Sequence, residues 1–153
     1  MPLPRFAPEG CLPPGIHAAT FREVHERYGI GSDAREKQIG LLQQVVEAAK
    51  LYPTIKRVLL WGSFVTAKAE PNDLDYSVIV SVDHRLTEIA KAHRRFLVPS
   101  EARQHYSVDT GYLLIRGYPL DFYIEQVDFI CHTTKLLACG VVEISLRGEV
   151  SGE

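Results

Sequence analysis

The chain has 153 residues, of which 46% are hydrophobic and 24% charged, with a formal net charge of −2. That length suits one domain with an ordinary core. Near-neutral charge gives no broad electrostatic footprint for nucleic acid, and no apolar run approaches the ~20 residues needed to span a bilayer.

Residues 1–15 contain prolines at 2, 4, 8, 13 and 14, which exclude a regular helix or central strand. They predict an extended arm lying on the body. The stretch from Leu12 to His17 reads as a turn that re-enters the fold. Thr20 and Glu23 have the spacing of a capping box, so a short helix runs to about Arg27 and stops at Gly29 and Gly31. Ser32 caps the next helix. Ile39, Leu42, Val45, Val46 and Ala49 form its apolar stripe from about Asp33 to Leu51. Strands follow at about Lys56 to Trp61 and Asp75 to Val82. Leu86, Ile89, Ala90 and His93 share one helical face, predicting a third helix from about His84 to Arg95. Its Lys91, Arg94 and Arg95 form a modest basic patch.

The β-forming run between Tyr106 and Ile115 predicts a third strand. Leu120, Tyr123, Ile124, Val127 and Cys131 recur at helical spacing behind Pro119, predicting a helix to about His132. Residues 140–146 read as a last strand. The fold class is therefore α+β, a small mixed sheet backed by helices. One domain covers 16–147, between the arm and a tail at 148–153. Cys11, Cys131 and Cys139 are odd in number and lack zinc-ligand spacing, and the N-terminus has no apolar leader core. The expectation is a reduced, cytoplasmic protein whose cysteines are ordinary small side chains. The six histidines show no metal-ligand spacing either.

The chemistry concentrates between the first two strands. An apolar run ends at Trp61-Gly62-Ser63, and the next begins directly after Asp73-Leu74-Asp75. Residues two apart on a strand share a face, so the two carboxylates converge about 6–7 Å apart at the backbone. Carboxylates that close repel unless a cation lies between them. Hard divalent ions such as Mg²⁺ favour such oxygens together with substrate phosphate. The Gly62-Ser63 turn offers N–H groups and a hydroxyl to that phosphate. Thr66 and Lys68 are further candidate phosphate contacts. As a plain turn, Pro71-Asn72-Asp73 accounts for Asp73 but not for Asp75, a carboxylate inside an apolar strand sequence.

These residues, from Val58 to Val80, resemble the signature of the polymerase-β-like nucleotidyltransferase superfamily: an apolar residue, Gly-Ser, a spacer of about ten, then Asp-x-Asp entering a strand. Leu12-Pro-Pro-Gly-Ile-His, Gly62-Ser-Phe-Val-Thr and Gly140-Val-Val-Glu-Ile together also resemble a small bacterial and phage group of nucleotidyltransferase-like proteins, suspected to act in toxin–antitoxin or defence systems. The resemblance implies Mg²⁺ or Mn²⁺ on Asp73, Asp75 and a third carboxylate, with a nucleoside triphosphate as substrate on Gly62, Ser63, Thr66 and Lys68. Asp109 is preferred as the third carboxylate over Asp121, whose segment has helical spacing. It further implies transfer of a nucleoside monophosphate to a protein or RNA hydroxyl, with a cognate toxin or other partner protein, or a dimer, completing the site. The family's usual arginine after Gly-Ser is replaced here by the segment ending in Lys68. A catalytically inert, antitoxin-like binding module is the alternative.

Overall fold

The computed structural model describes residues 3–8, 10–13, 15–71, 74–81, 83–98, 101 and 140–146, and the backbone of 112–116. The elements are β1 (Ile16–Ala19), α1 (Phe21–Tyr28), α2 (Asp33–Ala49), β2 (Ile55–Trp61), β3 (Asp75–Val80), α3 (Arg94–Leu97), β4 (Tyr112–Arg116) and β5 (Val141–Ser145). The strands make one mixed sheet in the order β1-β5-β2-β3-β4. The β2–β3 and β2–β5 pairs are antiparallel, and the β1–β5 and β3–β4 pairs are parallel. The fold is α+β, as the order of elements predicts.

Local chemistry explains both long helices. Thr20 Oγ1 accepts the Glu23 N–H at 3.1 Å, and Glu23 returns a carboxylate to the Thr20 N–H at 3.0 Å. Ser32 Oγ accepts the Arg35 N–H at 3.2 Å and so caps α2, with Asp33 and Glu36 in the first turn favouring its dipole. The apolar stripe of α2 buries Ile39, Leu42, Val45, Val46 and Ala49 against Val58 and Leu60 of β2, Tyr76, Val78 and Val80 of β3, and Val142 and Ile144 of β5. Those strand residues alternate, so they lie on one face of the sheet. The opposite face is buried too: Leu59, Ser77 and Ile79 have no exposure at all.

Three expectations need correction or completion. The segment from Leu12 to His17 is not only a turn. Ile16–Ala19 forms an edge strand paired with β5, Ile16 facing Val141. The four residues Ile-His-Ala-Ala are too few, and too mixed, to show an alternation by which to recognise it. The helix expected at His84 to Arg95 is instead two 3₁₀ turns, Leu86–Glu88 and Lys91–His93, followed by the single turn of α3. Ile89 and Ala90 are extended, and the Ala90 N–H donates to the Tyr52 hydroxyl at 2.9 Å rather than to a helical carbonyl. The helix expected from 120 to 132 lies outside the described residues.

The proline-rich arm lies on the body. Leu3 and Leu12 are buried, Ala67 N–H donates to Gly10 O at 2.7 Å, and Arg27 donates to the carbonyls of Leu3 and Pro4. Cys11 is buried, bridges to Thr66 and is disulfide-bonded, its partner lying outside the described residues. This corrects the expectation of cysteines that are all reduced. Among the described residues no helix is long and apolar enough to cross a membrane.

Tyr28 sits where arm, α1 and α2 meet, its ring 6.0 Å from Phe6 and 5.8 Å from Phe64. Its buried hydroxyl has no hydrogen-bond partner among the described residues. Burial pushes the phenol's pKa from 10.0 up to about 12, with Arg27 and Arg35 pulling more weakly the other way. The folded protein thus holds this proton more tightly than the unfolded chain does. Its contribution to stability is complete below pH 10 and is lost as pH rises to about 12. Tyr28→Phe keeps the ring and removes an unsatisfied polar atom, so at neutral pH it should be neutral or stabilising by up to ~1 kcal/mol. Urea unfolding of both proteins should show that excess growing between pH 10 and 12. A loss of more than ~1 kcal/mol at neutral pH would show that the hydroxyl has a partner.

Candidate active site

The site is built at one end of the β2–β3 hairpin. Trp61 pairs with Asp75 as the last register step, which puts both side chains on one face. Trp61 Nε1 donates to Ser77 Oγ at 3.0 Å along that face, so the indole is tied to β3. The chain then turns at Gly62, with φ +80° and ψ −162°, a combination essentially confined to glycine. The half-buried Asp75 side chain packs directly on this glycine. A Cβ at Gly62 would meet Asp75 Cγ at 3.1 Å and Cβ at 3.2 Å, and Oδ2 closer still. Glycine is needed here twice, for its backbone and for the room it leaves the carboxylate.

Ser63–Val65 makes one 3₁₀ turn, anchored by the buried Phe64 and Val65. The N–H groups of Ser63 and Phe64 and the Ser63 hydroxyl have no hydrogen-bond partner among the described residues. They are donors left over beside a carboxylate. Thr66 has a role inside the loop. Its hydroxyl donates to Ser63 O at 2.7 Å and accepts the Lys68 N–H at 3.2 Å, so it closes the loop on itself. The Lys68 side chain is exposed and lines a separate cleft with Arg27 and Arg35.

What holds this loop is a residue that periodicity does not single out. Arg35 of α2 is 6% exposed. It donates to Tyr28 O at 3.0 Å and Phe64 O at 2.8 Å through Nη1, and to Thr66 O at 2.7 Å and Lys68 O at 2.6 Å through Nη2. The guanidinium lies over the rings of Tyr28 and Phe64, 5.8 and 5.5 Å from their centroids. Burial lowers its pKa, and Tyr28 works against that shift. Gln38, one turn on, donates to Pro71 O at 2.7 Å, while its buried Oε1 has no partner among the described residues. Two polar residues of α2 thus clamp the connection from Gly62 to Pro71. Each stands four residues before a member of the apolar stripe (Ile39 and Leu42) and so continues it, which was the available signal. Leu74, buried directly before Asp75, anchors the far end of the connection.

Of the expected carboxylates, Asp75 is in the site, whereas Asp73, Asp109 and Asp121 lie outside the described residues. Among the described residues no group of three His, Cys, Asp or Glu side chains is placed to hold a metal. Asp75 nonetheless suits a hard cation, because its carboxylate oxygens are the donors such an ion prefers and Gly62 leaves room for that carboxylate at the end of the hairpin. Several histidines are engaged elsewhere. His17 Nε2 pairs with Pro13 O at 2.7 Å, His84 Nδ1 with Thr54 Oγ1 at 2.8 Å, and His93 Nδ1 with the Tyr52 hydroxyl at 2.6 Å. In the basic patch, Arg94 is neutralised by Glu101 at 2.6 Å.

A model described as a family of unknown function, DUF6932, matches residues 4–145. No curated protein matches the chain, and no solved structure does.

Proposed function

The chain belongs to the DUF6932 family, whose function is unknown, so from the site itself we propose that it is a metal-dependent nucleotidyltransferase. The observation that carries this reading is the Asp75 carboxylate seated on Gly62, beside the N–H groups of Ser63 and Phe64, which have no partner among the described residues. A carboxylate alone repels a triphosphate, and N–H donors alone do not activate one. Side by side they suit a phosphate chain that shares a cation with the protein.

In this reading Asp75, with Asp73 and Asp109, would hold Mg²⁺ or Mn²⁺. When bound, the ion neutralises charge that develops on the transferred phosphoryl group. Ser63 and Phe64 would take phosphate oxygens on their N–H groups, and Gly62 would let the phosphates approach the backbone. An acceptor hydroxyl then attacks the α-phosphorus. The new O–P bond forms, the bond to pyrophosphate breaks, and the hydroxyl proton passes to a carboxylate. The chain's own part is positioning, through the loop that Arg35 and Gln38 hold. The proposed acceptor is a hydroxyl of a partner protein, such as a cognate toxin, or of RNA, and the proposed setting is the cytoplasm, where nucleoside triphosphates are at hand.

Incubation with labelled nucleoside triphosphates, Mn²⁺ and the neighbouring gene product or total RNA should give a labelled acceptor and pyrophosphate. Asp75→Asn should lower the rate by at least ~100-fold, since it removes a charged ligand while keeping its shape. Labelling that survives Asp75→Asn would overturn the reading. Absence of labelling, joined with a stable complex that Asp75→Asn leaves intact, would point to the binding module instead.

A further inference from the structure

Where the connection from Gly62 reaches Thr66–Ala69, it walls a cleft of about 270 Å³. Phe6 of the arm, Arg27 and Ile30 at the end of α1, Arg35 of α2, and Lys68 and Ala69 of the loop line it, with no acidic residue among the described residues of its walls. Arg27, Arg35 and Lys68 have no carboxylate partner among the described residues. Three cations thus gather at one spot in a chain whose net charge is −2. Beside them Ile30 is 58% exposed, one of two large hydrophobic side chains so open among the described residues. Ile30 also lines a second groove of about 470 Å³ with Arg22, His25 and Glu26, where Glu26 is paired with Arg22 at 3.3 Å.

We propose that this cleft binds an acidic, leucine-like segment of a partner protein, carboxylate toward Arg27 and Lys68 and apolar side chain on Ile30. Charge complementarity selects the acidic group. The apolar walls and the continuation past Ile30 select an extended chain rather than a compact anion. All four Nη bonds of Arg35 are given to carbonyls, so the charge offered to a ligand is that of Lys68 and of Arg27, which gives one bond each to the carbonyls of Leu3 and Pro4. The surface shares neither Asp75 nor Gly62 with the candidate active site, so the inference does not rest on the nucleotidyltransferase reading.

Fluorescein-labelled Glu-Leu-Glu-Leu-Glu, with the full chain, is the probe. Anisotropy should rise saturably, and binding should weaken with salt. The Gln-Leu-Gln-Leu-Gln counterpart should bind at least ~5-fold more weakly. Lys68→Glu and Ile30→Asp change exposed side chains, so the fold should survive, as thermal melting will verify. Each should weaken the peptide by roughly five- to tenfold. Absence of binding, equal binding of the glutamine peptide, or indifference to both substitutions would overturn the proposal. So would displacement of the peptide by ATP with Mg²⁺, which would make the cleft part of the nucleotide site. Loss of nucleotidyl transfer in Asp75→Asn has no bearing on these results.

Discussion

Arg35→Met should lower the unfolding free energy by about 3–5 kcal/mol. The guanidinium is the shared donor for the carbonyls of Tyr28, Phe64, Thr66 and Lys68, at 2.6 to 3.0 Å. Bonds from a charged donor contribute ~1.5–3 kcal/mol each. Four of them would sum to more than the expected loss. The difference is the desolvation of the buried charge, which methionine does not suffer, and water reaching Thr66 and Lys68 once the loop loosens. Arg35→Lys should recover only part, because one ammonium cannot spread its donors over carbonyls on two sides. Urea denaturation gives the test through the midpoint at constant slope. A change below ~1 kcal/mol in Arg35→Met would show that the loop holds itself. Under the proposed function, both variants should also lose nucleotidyl transfer, with lysine the milder, since Arg35 acts on the loop and not on the substrate.

Gly62→Ala should cost about 2–4 kcal/mol. Two separate effects combine. The φ of +80° with ψ of −162° is strained for any residue with a Cβ, at ~1–3 kcal/mol. The added methyl also enters the space of the Asp75 carboxylate, so either that side chain or the end of the hairpin must shift. A double-mutant cycle separates the two. Asp75→Gly opens the space and should return the steric part, about 1 kcal/mol or more, while the backbone part persists. Purely additive effects would mean that the close approach of Asp75 to Gly62 carries no energy. Under the proposed function, divalent-ion affinity should already fall in Gly62→Ala, because the carboxylate is displaced with its charge intact.

The parts legible beforehand are those coded by neighbours along the chain. Thr20 with Glu23, and Ser32 ahead of the α2 stripe, mark helix starts within three residues, and the caps are found as read. The β2 and β3 strands were visible as apolar runs. Gly62 and Asp75 could be singled out because each interrupts or borders such a run. Their direct packing follows from the register that pairs Trp61 with Asp75.

Tertiary structure alone decided the rest. Ile16–Ala19 is a strand only because β5 offers an edge, from more than a hundred residues away in sequence. The segment from His84 to Arg95 has a helical pattern, yet the Tyr52 hydroxyl takes the Ala90 N–H and Arg94 takes the Leu86 carbonyl, which breaks the helix. Arg35 reaches carbonyls 29 to 33 residues ahead, and backbone carbonyls leave no mark in a sequence. The sequence by itself determined where α1 and α2 begin, that β2 and β3 are buried and which residues are chemically out of place. The pairing of buried polar groups with distant backbone, and with it the shape of the loop and the cleft it walls, depends on proximity that only the folded chain creates.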